Sequence, residues 1–198
     1  MPLVADPAAR TEWSGERMHS SSDPSPATTA TRAGHGDDAA AIRIELALSD
    51  EAATEALAAR LAGIARSRDV IALRGDLGAG KTVFARAFIR ARIDPDEEVP
   101  SPTFTLVQVY EPAGRSEATI WHFDLFRLAG AEDALELGIE DAFADAISLI
   151  EWPERLGEML PASRLDVMLA FGTTAGSRRA RIEGDAAWRR RLREAGIG

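Results

Sequence analysis

One glycine-rich segment of the sequence has residue types and spacing that suit phosphate binding. Its residues are Gly75-Asp76-Leu77-Gly78-Ala79-Gly80-Lys81-Thr82, which fit the pattern G-x-x-x-x-G-K-[ST] between a predicted strand and a predicted helix. The glycines let the backbone curl so that several N–H groups point at phosphate oxygens, and the helix adds its positive N-terminal end. Lys81 offers a cation for the β- and γ-phosphates and Thr82 offers a hydroxyl for Mg²⁺. The segment therefore predicts nucleotide binding, with Leu77 to Thr82 as the contacting residues.

The single lysine of the chain stands in this segment. Of the 23 basic residues, 22 are arginine and only Lys81 is lysine. A planar guanidinium does not replace a compact ammonium inside a tight loop, so a lysine in such an arginine-rich composition indicates a specific role. The strand–loop–helix context also disfavours the alternative of a chance glycine-rich turn.

Two carboxylates follow apolar runs that are predicted as strands. Glu151 closes the run 147–150, and Asp124 follows the run 120–123. In a parallel sheet both would reach the edge where the phosphate loop opens. There, one could hold Mg²⁺ and one could orient the attacking water. For each, an ordinary solvated carboxylate at a strand end stays open as an alternative.

Three other positions are candidates for chemistry. Thr103 follows a loop rich in proline and acidic residues, and it could sense a γ-phosphate as a switch-loop threonine does; a turn hydroxyl is the alternative. Arg178 could reach nucleotide phosphates, although the arginine-rich segment 178–193 is more typical of a solvated helix face. His122 could act as a general base, but a structural histidine on a half-buried strand is the preferred interpretation.

Predicted strands and helices alternate along the chain. Hydrophobic periodicity predicts strands at 42–48, 70–73, 118–123, 146–150, 165–171 and 180–183. Helices are predicted after Ser49 to about Arg66, from about Gly80 to Arg92, over 131–145 and over 185–194. This order predicts an α/β fold of the P-loop NTPase type, with a central, mostly parallel sheet flanked by helices.

Length and composition limit the function classes. The 198 residues suffice for one domain, placed at 41–198, and residues 1–40 are predicted to be a disordered extension because 24 of them are Ala, Gly, Pro, Ser or Thr. Zero cysteine excludes disulfides and thiolate metal sites. The sequence lacks an apolar run of membrane-spanning length and a secretory leader, so a cytoplasmic protein is expected. The net charge of −9 disfavours autonomous nucleic-acid binding.

Four blocks together resemble the bacterial TsaE (YjeE) family, over roughly residues 42–185. They are the phosphate loop at 75–82, Ser101-Pro102-Thr103-Phe104-Thr105-Leu106, His122-Phe123-Asp124-Leu125-Phe126-Arg127-Leu128 and Ile150-Glu151-Trp152-Pro153. Phe126 departs from the tyrosine that is usual in the family. The four-block combination is far more specific than the phosphate loop alone.

The resemblance implies functions for several residues. It implies ATP with Mg²⁺ near Thr82 and Glu151, Asp124 as an essential acid near the γ-phosphate, and Thr103 as a switch-region residue. Glu51, at the start of the first helix, would lie near the adenine. The family is the ATPase component of the threonylcarbamoyladenosine tRNA-modification system. It acts with TsaB and TsaD, so this chain would contact tRNA only through these partners. No contact with a membrane is expected.

Three rival functions are compatible with parts of this pattern. A GTPase of the translation type is nearly excluded, because its guanine-reading [N/T]-K-x-D element needs a lysine and the only lysine lies in the phosphate loop. A P-loop small-molecule kinase would need a substrate pocket and a lid, and no insertion between the early strands is long enough for one. A nucleotide-sensing module that does not hydrolyse ATP would share the loop, and a turnover assay separates it from an ATPase.

Overall fold

The protein is described by a computed structural model that covers residues 41–114 and 117–198, and these lie in one compact unit. The predicted disordered extension, residues 1–40, lies outside the described residues. Within the described residues no helix is both long and apolar enough to cross a membrane.

The described chain forms seven strands and five α-helices. The strands are β1 (Ile42–Leu48), β2 (Val70–Arg74), β3 (Val107–Tyr110), β4 (Ile120–Asp124), β5 (Ile147–Glu151), β6 (Leu165–Phe171) and β7 (Arg178–Gly184). The helices are α1 (Glu51–Ile64), α2 (Lys81–Arg92), α3 (Asp133–Glu136), α4 (Ile139–Asp145) and α5 (Ala186–Glu194). A 3₁₀ segment, Pro153–Met159, follows β5.

All seven strands join one sheet in the order β1-β7-β6-β2-β5-β4-β3. The four central strands, β6, β2, β5 and β4, run parallel, whereas β7, β1 and β3 pair antiparallel at the two sides. The predicted α/β fold with a mostly parallel sheet is thus confirmed. In the register of the sheet, Glu151 lies between Leu73 and Asp124. The two predicted carboxylates therefore meet at the edge where β2 runs into the glycine-rich loop.

The sheet separates two apolar cores. The larger core joins α1, α2 and α5 to one face through residues such as Leu61, Phe84 and Trp188. The smaller core lies around Phe123 and Ile139. Strand β5 is buried along its whole length, which explains its uninterrupted apolar sequence. The rigid centre of the sheet thus carries the loop and both acids.

Several predicted boundaries shift in the structure. The single helix predicted over 131–145 is broken at Gly138, whose φ of +76° lies in the left-handed region, and becomes α3 and α4. Strand β3 was not predicted. Asp50, rather than Ser49, caps α1, since its Oδ1 accepts a hydrogen bond of 2.8 Å from the Ala53 N–H. A carboxylate at this position satisfies a free N–H of the first helical turn.

Candidate functional site

The glycine-rich loop joins the end of β2 to the start of α2. Gly75, Gly78 and Gly80 have φ angles of +132°, +79° and +109°, which L-residues rarely adopt. At Gly75 there is also no room for a side chain, because a Cβ there would overlap the main-chain carbonyl oxygen of Leu169. The loop therefore curls as the sequence pattern requires, and it packs directly on β6.

This close approach predicts that Gly75→Ala destabilises the protein and distorts the loop. The expected loss is about 2 kcal/mol of unfolding free energy, since both the backbone angle and the contact with β6 are incompatible with a side chain. The matched control is Gly63→Ala in α1, where nothing lies within 4 Å of the added Cβ. That change should be neutral or stabilising. Urea denaturation of both variants makes the comparison, and equal stability of the two would contradict it.

Lys81 is the first residue of α2 and is buried, with 4% of its surface exposed. Its Nζ donates hydrogen bonds to the carbonyl oxygens of Gly75 (2.7 Å) and Asp76 (2.9 Å), and lies 3.9 Å from the ring centroid of Trp152. Burial lowers the pKa of the Lys81 ammonium, while nearby carboxylates, Glu151 foremost, act in the opposite direction. The cation is thus held within the loop, beside acidic groups that favour its charged form.

Glu151, the last residue of β5, is buried and uses both carboxylate oxygens. Oε2 accepts a hydrogen bond of 3.0 Å from the Thr82 hydroxyl, and Oε1 lies 3.0 Å from Nε2 of His122. No group of three or more potential metal-ligating side chains occurs within residues 41–114 and 117–198. The Thr82 and Glu151 oxygens nevertheless fit Mg²⁺, which commonly takes one or two protein ligands and completes its shell with phosphate oxygens and water.

Asp124, the last residue of β4, is held by different partners. Its Oδ2 accepts a hydrogen bond of 2.9 Å from the Thr103 hydroxyl, and its Oδ1 accepts one of 3.2 Å from the Phe126 N–H. The Ser101 hydroxyl lies 2.8 Å from that of Thr103. Asp124 is therefore tied to the loop before β3, whereas Glu151 is tied to α2.

These groups surround one cavity of about 410 Å³, which we call the phosphate pocket. It brings together most of the predicted site residues. Its lining includes Leu77, Gly78, Gly80, Lys81, Thr82, Thr103, Asp124 and Glu151, together with Val83, Ser101, Phe126, Arg127 and Trp152. Ala79, although part of the loop, is fully buried and does not line the phosphate pocket.

Two predicted contacts lie elsewhere. The Arg178 guanidinium donates to the carbonyl oxygens of Ala79 (3.1 Å) and Gly78 (3.3 Å), so it braces the outside of the loop. Glu51 lines a separate groove, which is formed by α1, α2 and residues 98–100, and Val83 lines both this groove and the phosphate pocket. Contact of either residue with a nucleotide stays a prediction.

Three residues have surroundings in the structure that their sequence context did not indicate. His122 is fully buried rather than half-buried, and its partner is Glu151. Trp152 has a left-handed φ of +59° and places its ring over Lys81. The arginine-rich segment is not simply a solvated face, because Arg191 is buried and bonds Asp69 through two nitrogens. The alternation of β4 could have shown that His122 shares a face with Asp124, but not which strand lies beside it.

Comparison with known proteins agrees with this arrangement. Residues 48–180 match the family described as threonylcarbamoyl adenosine biosynthesis protein TsaE. A relative of that name from Rickettsia felis is 40% identical over 124 residues, which are 63% of this chain and 71% of the relative. The relative from Mycobacterium leprae is 38% identical over 59% of this chain and 75% of its own length.

A solved structure shares the fold. The crystal structure of YdiB from Bacillus subtilis superposes with a TM-score of 0.64 and 23% identity, covering 79% of this chain and 96% of YdiB. The family match covers well over half of the chain, and it includes the loop and both acids. The chain therefore belongs to the TsaE family of threonylcarbamoyl adenosine biosynthesis proteins.

Proposed function

We propose that the protein binds ATP with Mg²⁺ and hydrolyses it, as the ATPase subunit of the tRNA threonylcarbamoyladenosine modification system. The observation that carries the proposal is the separate use of the two carboxylates at one pocket. Glu151 faces Thr82 and the start of α2, while Asp124 faces Thr103. A P-loop ATPase needs both a metal-linked acid and a group at the γ-phosphate end.

In this proposal each residue has one function. The Lys81 ammonium binds the phosphates together with backbone N–H groups of the loop from Leu77 to Thr82. The Ala79 N–H is the exception, because it donates to the Asp76 carbonyl oxygen (3.1 Å). Thr82 and Glu151 would hold Mg²⁺, which supplies neutralisation of phosphate charge when bound. Asp124 orients the reacting end of the nucleotide or its water, and Thr103 couples that end to the loop before β3.

The position of the adenine is assigned from the neighbouring groove that Glu51 lines. This groove is lined by Glu51 and Arg86, and it shares the lining residue Val83 with the phosphate pocket. We place the adenine at this side, because Val83 makes the two cavities neighbours. Arg178 then acts on the nucleotide through the loop carbonyls of Gly78 and Ala79 that it contacts.

We assign TsaB and TsaD as the partners, and the cytoplasm, where they would modify tRNA, as the location. The chain's charge of −9 favours contact with tRNA through these proteins rather than directly. Two large apolar side chains are strongly exposed at or next to the lining of the phosphate pocket. Leu77, which lines it, is 76% exposed, and Phe104, which follows the lining residue Thr103 in the sequence, is 84% exposed. Exposed apolar side chains that cluster in this way mark protein contacts.

Phe104→Ala is therefore expected to weaken association with the TsaB–TsaD pair about tenfold, since exposed aromatics dominate binding energy at interfaces. ATP affinity should stay within about threefold, because the Phe104 ring packs against the Arg127 guanidinium and does not line the phosphate pocket. Leu135→Ala is the matched control, since Leu135 is also an exposed apolar side chain (47%) but belongs to α3 rather than to the segment that carries Thr103 and Phe104. Biolayer interferometry measures both variants, and equal partner affinities would rule out this surface.

The enzyme assignment itself is tested by measuring phosphate release from ATP beside equilibrium ATP binding, each with and without Mg²⁺. We expect Mg²⁺-dependent binding and release of phosphate to water. Tight binding without any phosphate release, even with the partners present, would indicate the sensing module. ADP formation that depends on an added small-molecule acceptor would indicate a kinase.

A further inference from the structure

His122 is an ionisable side chain at the centre of the sheet that the proposed ATPase mechanism does not use. It lies in the middle of β4, with none of its surface exposed. It does not line the phosphate pocket. Its register partner on β5 is Leu149, two residues before Glu151, so His122 and Glu151 lie on the same face of the sheet. This placement brings the imidazole within reach of one carboxylate.

The imidazole makes a single hydrogen bond in the part of the chain that the structure describes. Nε2 lies 3.0 Å from Oε1 of Glu151, while Nδ1 is buried and has no hydrogen-bond partner among the described residues. A carboxylate only accepts, so Nε2 carries the proton and donates. A buried polar atom without a partner costs free energy. An apolar side chain at this position would avoid that cost but would lose the hydrogen bond to Glu151, so this bond is the specific contribution of the histidine.

This bond helps to fix the orientation of the Glu151 carboxylate toward the phosphate loop. With Oε1 engaged by His122, Oε2 is directed at the Thr82 hydroxyl, 3.0 Å away. The terminal torsion of a glutamate has a broad energy profile, so the orientation of the carboxylate is selected by its hydrogen bonds, and the bond from His122 is the one made from within the sheet. Glu151 is thereby clamped between β4 on one side and the first turn of α2 on the other.

We propose that His122 is a positioning residue that fixes the Glu151 carboxylate, so that Oε2 is presented to Thr82 and to the cation of the bound nucleotide. The inference rests on the proposed function, since it assigns the orientation of the same carboxylate. Groups that hydrogen-bond a metal-binding carboxylate commonly change metal affinity 10- to 100-fold when they are removed. His122 does not itself line the phosphate pocket, so it acts on the pocket through Glu151.

A matched pair of substitutions separates positioning from packing. His122→Gln and His122→Met have side chains of similar length and volume, but only glutamine has an N–H that can reach Oε1. ATP affinity is measured by calorimetry across Mg²⁺ concentrations and also in excess chelator. His122→Met should raise the Mg²⁺ concentration for half-maximal ATP affinity about tenfold, with affinity in chelator unchanged. His122→Gln should stay within about threefold of the unsubstituted protein.

The packing control is Phe123→Leu on the same strand. Phe123 is equally buried but belongs to the core on the opposite face of the sheet. The Phe123→Leu substitution should lower the unfolding temperature without altering the Mg²⁺ concentration needed for ATP binding. If His122→Met fails to fold, His122→Phe takes its place, because an aromatic ring fills the volume of the imidazole.

The outcomes are distinct. Equal Mg²⁺ requirements in the donor-free variant and the glutamine variant would overturn the positioning role. If His122→Met loses the same factor of ATP affinity in chelator as in Mg²⁺, the positioning role is also overturned, because such a loss indicates general damage to the pocket. ATP binding by the unsubstituted protein that does not respond to Mg²⁺ would instead refute the proposed function, and the inference with it.

Discussion

Lys81→Ala is expected to reduce ATP affinity at least about 100-fold, or about 3 kcal/mol, while the protein stays folded. The ammonium is buried and lies where the phosphates would be cradled, so its charge acts at a lower effective dielectric than on the surface. Alanine is a good helix former, so α2 should persist from its first residue. Calorimetric titration with Mg²⁺-ATP gives the affinity, and circular dichroism reports the fold.

Two controls sharpen this experiment. Arg193→Ala removes an exposed positive charge from α5, and it should leave ATP affinity within about twofold. Lys81→Arg keeps the charge but places a planar fork in a site built for a compact ammonium, so it should also bind poorly. Loss of helical signal in Lys81→Ala would show that the side chain acts through the fold. An affinity within threefold of the unsubstituted protein would exclude Lys81 from phosphate binding.

Asp124→Asn is expected to bind ATP within about threefold of the unsubstituted protein, yet to lower single-turnover hydrolysis about 100-fold or more. Glu151→Gln is expected to raise the Mg²⁺ requirement for binding about tenfold. The reason is the partner of each acid. Asp124 is bonded to Thr103, whereas Glu151 is bonded to Thr82. Both substitutions preserve side-chain size, so packing should hardly change.

The measurement is ATP affinity at a series of Mg²⁺ concentrations, followed by single-turnover hydrolysis with the partners present. The two variants serve as controls for each other, because they replace neighbouring acids in register on adjacent strands. Proportional losses of binding and rate in both variants at every Mg²⁺ concentration would show that the two acids act as one unit. The assigned division of function would then be wrong.

The arrangement of the site could be predicted wherever it follows from the ends of parallel strands. Asp124 and Glu151 close consecutive apolar runs, and the glycine-rich loop follows another, so all three were expected at one edge. The four bonds made by the carboxylate oxygens could not be predicted, because they depend on which strand lies beside which and on side-chain rotamers. The bond from His122 to Glu151 forms because β4 lies next to β5 in the sheet. The alternation of residue types along β4 does not show which strand lies beside it.

Other differences have local physical causes. Strand β3 has only four residues, so its alternation of apolar and polar side chains is too short to predict a strand. The helix predicted over 131–145 breaks because Gly138 adopts a left-handed φ against the ring of Trp121. The burial of Arg191 depends on Asp69, which is distant in the sequence, so the arginine-rich segment gave no sign of it.

The most direct test of the account is multiple-turnover ATP hydrolysis by the intact chain, measured alone and with the TsaB–TsaD pair. The account predicts Mg²⁺-dependent phosphate release that is slow alone and rises at least about tenfold with the partners. In the same assay Asp124→Asn should show no such rise although it still binds ATP. Phosphate release that is absent under both conditions, or that Asp124→Asn retains in full, would contradict the proposed ATPase function of this pocket.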